Sequence, residues 1–251
     1  MRKSALLCAG TILLLLPAES RAQLPQPFDG RVTVSVNAGG QAGSTDVSRQ
    51  RAFSLYEEEA RFESNQTVST GGILDIGGTY RVGANWGVGI GYTRSQGSND
   101  AVVAGSIPHP LFFGQPRTVN ASLTGLSTRE RAVHLQAVLF VPFVERVDFA
   151  FAAGPSFYSV RQEFATGFAI SEVPPGFNTV SIDSIDLTTA RRSGTGFNLS
   201  GEATYAVTNT IGAGLMLRYT RANVEFGFGD GGTVELSPGG LQIAAGVRLR
   251  F

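Results

Sequence analysis

Residues 74–93 read LDIGGTYRVGANWGVGIGYT, and this stretch decides the fold. Leu74, Ile76, Gly78, Tyr80 and Val82 alternate with Asp75, Gly77, Thr79 and Arg81. After Gly83-Ala84-Asn85 the alternation resumes, with Trp86, Val88, Ile90 and Tyr92 set against Gly87, Gly89, Gly91 and Thr93. A period of two on both sides of a tight connection is a β-hairpin with one apolar face. The second face settles what that apolar face meets. A strand face turned to water should carry many charged residues, yet this one is mostly glycine and threonine. Small residues suit a crowded interior, so the apolar face points outward, to lipid. The glycines at 87, 89 and 91 superficially suggest a phosphate loop, but they recur within a strand and no helix follows.

The same alternation appears at 32–37, 133–141, 147–157, 197–207, 211–220 and 241–251, which brings the number of strands to eight. Short connections at 83–85, 142–146 and 208–210 alternate strictly with long ones at about 39–71, 95–130, 163–192 and 224–239. One end of the sheet therefore carries tight turns and the other carries every long loop, as in transmembrane β-barrels. Strands of about 10 residues, rising about 3.3 Å each and tilted about 40°, span roughly the 25 Å apolar band of such barrels. The fold class is all-β: an eight-stranded antiparallel transmembrane up-and-down β-barrel with short periplasmic turns and long extracellular loops. An extra hairpin within 40–70 or 163–190 would make ten strands. Tyr80, Trp86, Tyr205 and Phe251 fall near the short-turn end, where an interfacial aromatic girdle belongs.

Composition agrees. Charged residues make up 16% of the chain against about 25% in soluble domains, and 32 of the 251 residues are glycine. Arg2 and Lys3 precede an apolar run from Ala5 to Leu16, and Ser20-Arg21-Ala22 offers a cleavage site between Ala22 and Gln23. The chain thus divides into a signal peptide (1–22), a short linker (23–29) and a barrel domain (30–251). Processing removes three of 20 basic and one of 20 acidic residues, leaving 17 arginines, no lysine and no cysteine against 19 acids. Without a basic surplus nothing points to nucleic acid, and without cysteine there is neither a disulfide framework nor a thiolate metal site.

The inward phase carries the candidate functional residues: Asp75, Arg81, His134, Gln136, Glu202, Arg218, Arg248 and Arg250. An eight-stranded lumen is just wide enough to be filled by side chains, and unpaired charges there would be costly, so these groups are expected to pair. Two histidines, His109 and His134, cannot by themselves build a usual zinc site. No metal or cofactor is expected, and no nucleophile–base pair is recognisable. In the long connections, Arg49–Glu63 alternates partly and reads as strand extending above the membrane. The proline-rich segment Ser106–Arg117, with Phe112-Phe113, reads as a lid over the barrel mouth, because exposed phenylalanine pairs usually find cover.

On this pattern the chain resembles the small bacterial outer-membrane β-barrel proteins, the OmpA-like and opacity-like group, over residues 30–251. Gly246, Leu249 and Phe251 resemble the C-terminal assembly signal of that group, with Ala244 where a polar residue is usual. The resemblance implies export, periplasmic chaperones, the barrel-assembly machinery and integral residence among outer-membrane lipids. The function expected is structural or surface-interacting, through the long extracellular loops and without enzymatic activity. A narrow porin-like channel for small polar solutes and a lipid-modifying membrane enzyme are the alternatives. The extracellular ligand and the oligomeric state have no sequence signature.

Overall fold

The computed structural model describes residues 30–229 and 232–251. The signal peptide, its Ala22/Gln23 cleavage site and the linker lie outside the described residues. Among the described residues twelve strands run as β1 (Val32–Ala42), β2 (Ser44–Leu55), β3 (Glu58–Ser69), β4 (Gly72–Arg81), β5 (Trp86–Ile107), β6 (Arg117–Val144), β7 (Val147–Glu172), β8 (Val180–Ala206), β9 (Ile211–Ala222), β10 (Val224–Gly227), β11 (Thr233–Leu236) and β12 (Gly239–Arg250). Eight of them close a ring in the order β1-β4-β5-β6-β7-β8-β9-β12. Closure is by β1 against β12, from Thr33↔Arg250 to Ala42↔Leu241. The eight segments read from the sequence are the membrane portions of these eight strands.

The long connections differ from the expectation of loops, because most of their residues are strand. β5 to β8 are 22, 28, 26 and 27 residues long and continue far beyond the apolar band. β2 and β3 form the hairpin foreseen within 40–70, but it adds to the upper part of β5, from Arg61↔Ser106 to Thr67↔Asp100, and leaves the ring at eight. Residues 163–192 supply no additional hairpin; they prolong β7 and β8, which pair from Val147↔Tyr205 to Glu172↔Val180.

Side-chain chemistry inverts along these strands. On β5, Trp86, Val88, Ile90 and Tyr92 are exposed on the outer wall, while Gly87, Gly91, Thr93 and Ser95 are buried within. Higher up, the outer face carries Gln96, Ser98 and Asp100, and the buried face becomes Ala101, Val103 and Ile107. A register shift between Asn99 and Ala101, opposite Gly125 at φ +84°, adds a bulge residue to β6. Such a bulge re-aims the strand; below it Leu126 and Thr128 point in, and above it Val119 does.

Two apolar clusters fill this upper extension. Val47, Val68, Val160, Phe164, Phe226 and Leu236 belong to the larger, and Phe62, Val103 and Ala165 to the smaller. The β10–β11 hairpin contributes Val224, Phe226, Val234 and Leu236 to the larger cluster, and Phe226 and Phe228 meet Phe164 with ring centroids 5.2 and 5.4 Å apart. This hairpin performs the covering role expected of Ser106–Arg117. That proline-rich segment is no lid: Leu111, Phe112 and Phe113 stand 59%, 54% and 75% exposed.

Candidate functional site

The lumen at membrane depth holds one connected polar network to which every strand of the ring contributes. Asp75 on β4 accepts bonds from Arg218 on β9 (2.7 Å), Thr93 on β5 (2.7 Å) and Asn37 on β1 (2.9 Å). Asn37 accepts from Arg248 on β12, whose guanidinium also reaches Glu202 on β8 at 3.0 Å. In the other direction Thr93 Oγ1 lies 3.1 Å from His134 Nε2 on β6, and His134 Nδ1 lies 2.7 Å from Ser156 Oγ on β7. Asn198 donates to Ser156 at 2.9 Å and accepts from Gln136 at 2.7 Å. The glycines of the inward phase make room for this. Any Cβ at Gly214 would meet the Arg248 guanidinium at 2.7 Å, so glycine lets that side chain lie flat on the wall.

At the periplasmic end Arg250 pairs with Asp148 at 3.1 Å and Arg81 lies over the Phe140 ring at 4.5 Å. The expected pairing of lumen charges therefore holds, with Arg81 finding an aromatic face and Arg250 an aspartate that the sequence reading had not singled out. Above the network Gln41 donates to Glu130 and Thr70, and Gln242 donates to Gln41. Side chains thus occupy the interior from the periplasmic rim to the apolar clusters overhead.

The Ser156–His134–Thr93–Asp75 chain has the outline of a nucleophile and a base. It is sealed: Ser156 and His134 are both 0% exposed. Each is also engaged by its neighbours, so no oxygen is held ready for a substrate. Among the described residues no group of His, Cys, Asp or Glu is arranged to hold a metal.

The residues expected to form an assembly signal have structural roles in the fold. A Cβ on Gly246 would lie 1.9 Å from the Val36 carbonyl and 2.6 Å from Asn37 Oδ1, so the tight β1–β12 seam requires glycine there. Leu249 pairs with Val34, and Phe251 exchanges backbone hydrogen bonds with Val32 at 2.9 and 3.0 Å.

The second candidate site is the extracellular tip, where three connections meet. Arg117 donates to Glu172, to the Pro108 carbonyl (2.6 Å) and to the Phe177 carbonyl (2.6 Å). Tyr56, in the β2–β3 turn, donates to Glu172 at 2.8 Å, and Glu58 accepts from Gly114 N–H. Tyr56 and Glu57 both adopt positive φ, 53° and 63°. Non-glycine residues pay for that conformation, and here the Tyr56–Glu172 bond holds it. The bond to Glu172 raises the Tyr56 hydroxyl above its ordinary range. Burial alone would push the Glu172 carboxyl up, but the Tyr56 hydroxyl and the Arg117 guanidinium outweigh it and hold that carboxyl below its usual range. This clamp fixes the base of the 108–116 segment. His109 is buried, and its ring lies 5.0 Å from that of Phe112, which with Leu111 and Phe113 faces outward. Glu172 and Tyr56 escaped the sequence reading because they lie 116 positions apart and meet only where the strand extensions end.

Comparison with known proteins agrees with this architecture. The family described as "Outer membrane protein beta-barrel domain" matches residues 11–251. No curated protein matches the chain. Among solved structures, the chain is similar to Neisserial surface protein A (13% identity, 88% of this chain and 97% of that one, TM-score 0.43). It is also similar to the outer membrane protein OprG from Pseudomonas aeruginosa (9% identity, 90% and 99%, TM-score 0.40). A third is the outer membrane protease OmpT from Escherichia coli (11% identity, 91% and 99%, TM-score 0.47).

Proposed function

The chain belongs to the outer membrane protein β-barrel domain family, and from that premise we propose that it is a non-enzymatic, non-conducting surface-interaction protein. The tip is its contact surface. The observation that carries this reading is the outward display of Leu111, Phe112 and Phe113 on a segment clamped by Arg117, Glu58 and Glu172. Large apolar groups left in water usually mark a contact surface. A rigid base favours binding, since little freedom is lost when the partner arrives. The partner's chemistry is apolar, matching the patch. Signal-directed export, periplasmic chaperones and the assembly machinery belong to the same reading, as does residence among outer-membrane lipids.

Selection of a phage-displayed random peptide library on the folded barrel in detergent, with wild type and F112S/F113S in parallel, tests it. Peptides rich in apolar residues should enrich on the wild type alone. Equal enrichment on both proteins refutes the tip as the contact surface.

The filled lumen supports the non-conducting part of the reading against the porin-like alternative, because a narrow enclosed pore needs free volume that the side chains here occupy. Planar bilayers should stay silent, and stable, reproducible openings would overturn it. The sealed Ser156–His134 contact supports absence of catalysis, since a nucleophile must reach its substrate. Turnover of phospholipid or peptide by the wild type that H134A abolishes would refute that.

A further inference from the structure

A second surface lies lower on the outer wall, where the apolar band ends. Tyr92, Phe157, Phe197 and Tyr219 ring the upper edge of that band, with Phe197 and Tyr219 packed at 6.0 Å. Directly above them, on β5 to β8, five arginines share the outward face: Arg94, Arg129, Arg131, Arg161 and Arg191. They are cross-strand neighbours, because the registers place Arg94 opposite Arg131, Arg129 opposite Arg161, and Arg161 opposite Arg191.

Like charges directly opposite one another destabilise a sheet. None of the five makes an ion pair with a carboxylate among the described residues. Glu163 shares this face, its carboxylate accepting the Ser127 N–H, and its one negative charge leaves the five arginines in large excess. Arg94 Nε is buried without a hydrogen-bond partner. The cluster therefore calls for external anions at a fixed height, that of the outer-leaflet headgroups.

Below the cluster the wall is grooved. A groove of about 480 Å³ runs between Tyr92, Arg131, Val133, Phe157 and Thr195. Another, of about 760 Å³, borders Val88, Ile90, Leu135, Ala137, Ala153 and Pro155. Ile90 and Leu135 stand two residues below Tyr92 and Val133 on the same face, so the two grooves are neighbours along one stretch of wall, beneath the arginines.

We propose that this face binds a phosphorylated, multiply acylated lipid of the outer leaflet, its phosphates on the arginines and its acyl chains in the grooves. Charge complementarity and the apolar walls below it specify one amphiphile, which neither a free anion nor a neutral lipid matches. The site is separate from the tip and does not depend on the tip's role.

Native mass spectrometry of the folded full chain in detergent, incubated with diphosphoryl lipid A, with the same lipid dephosphorylated, or with diphosphoryl lipid A plus excess inorganic phosphate, tests the proposal. The wild type should retain the diphosphoryl form. R94Q/R131Q/R161Q should retain it about a hundredfold less, from the usual attraction of three surface arginines to an anionic leaflet. R94K/R131K/R161K should retain most of it. Gel migration before and after boiling verifies that each variant is folded. Equal retention by the glutamine variant, or of the dephosphorylated lipid, overturns the proposal. Complete displacement by inorganic phosphate overturns it too, by reducing the cluster to a free-anion site.

Discussion

The lower and upper halves of β5 to β8 are continuous in backbone and opposite in chemistry. In the lower half apolar side chains face out and the Asp75–Arg218–His134 network fills the inside. In the upper half arginines and hydroxyls face out, and Val103, Val160 and Phe164 fill the inside. The interior changes because the exterior does. Lipid accepts apolar groups on the wall and leaves polar groups to pair within, whereas water rewards the reverse. One ladder of backbone hydrogen bonds serves both solvents.

The sharpest way to break the comparison is to disturb each interior by its own weakness. Arg218→Met should leave Asp75 as a buried uncompensated charge and destabilise the barrel by about 3–5 kcal/mol. Adding Asp75→Leu should recover most of that loss, and urea unfolding in detergent micelles measures both. Phe226→Ala, in the upper half, should cost about 3–5 kcal/mol of local stability by opening a cavity beside Phe164. Its signature is different: protease should trim the extension while the membrane ring still shifts on gels with boiling. Loss of that shift in Phe226→Ala would mean that the two halves fold as one unit.

A smaller effect probes the outer wall. Leu135→Arg at membrane depth should cost about 2–4 kcal/mol. The equivalent change Ser98→Arg, on the watered half, should stay within about 0.5 kcal/mol. Equal costs would show that the boundary between the two solvents is misplaced.

The least effect is expected from pH at the tip. Glu172 has its carboxyl pKa held below the ordinary value of 4.5, so its contribution is present above that value and fades as pH falls through the lower folded-state value. Hydrogen exchange around Arg117 should be flat from pH 8 to 6, after correction for intrinsic rates, and quicken only below the carboxylate range. Glu172→Gln should flatten that dependence, and a transition near neutrality would rule Glu172 out as the group.

The same inversion determines what the sequence could disclose. Residues 86–93 declare a strand because large apolar residues alternate with glycine and threonine, and an outward apolar phase of period two marks the membrane portions of all eight ring strands, although on β6 the inward phase also holds Val138 and Phe140. At residues 95–107 the alternation persists, but hydrophobicity moves to the other phase and weakens to alanine and valine. A reading that looks for one apolar phase stops there and reports a loop. Gly125 compounds the difficulty, since a bulge shifts which residues point inward. The lumen charges were legible by phase, but their partners were not, because Asp75 and Arg218 lie 143 positions apart and meet only when the ring closes. The arginine cluster was hidden for the same reason. Its members are scattered over nearly one hundred residues, and only cross-strand register makes them neighbours.

The length of β7 has a mechanical consequence. Its 26 residues extend roughly 85 Å at about 3.3 Å each, as one strand from the lower turn to the tip that stays paired with β8 across two register shifts. A tug on Phe113 is delivered along the strands, so many hydrogen bonds bear it together in shear, where a flexible loop would surrender them one by one. A load at the far end would thus be carried into the same ring of strands that crosses the membrane.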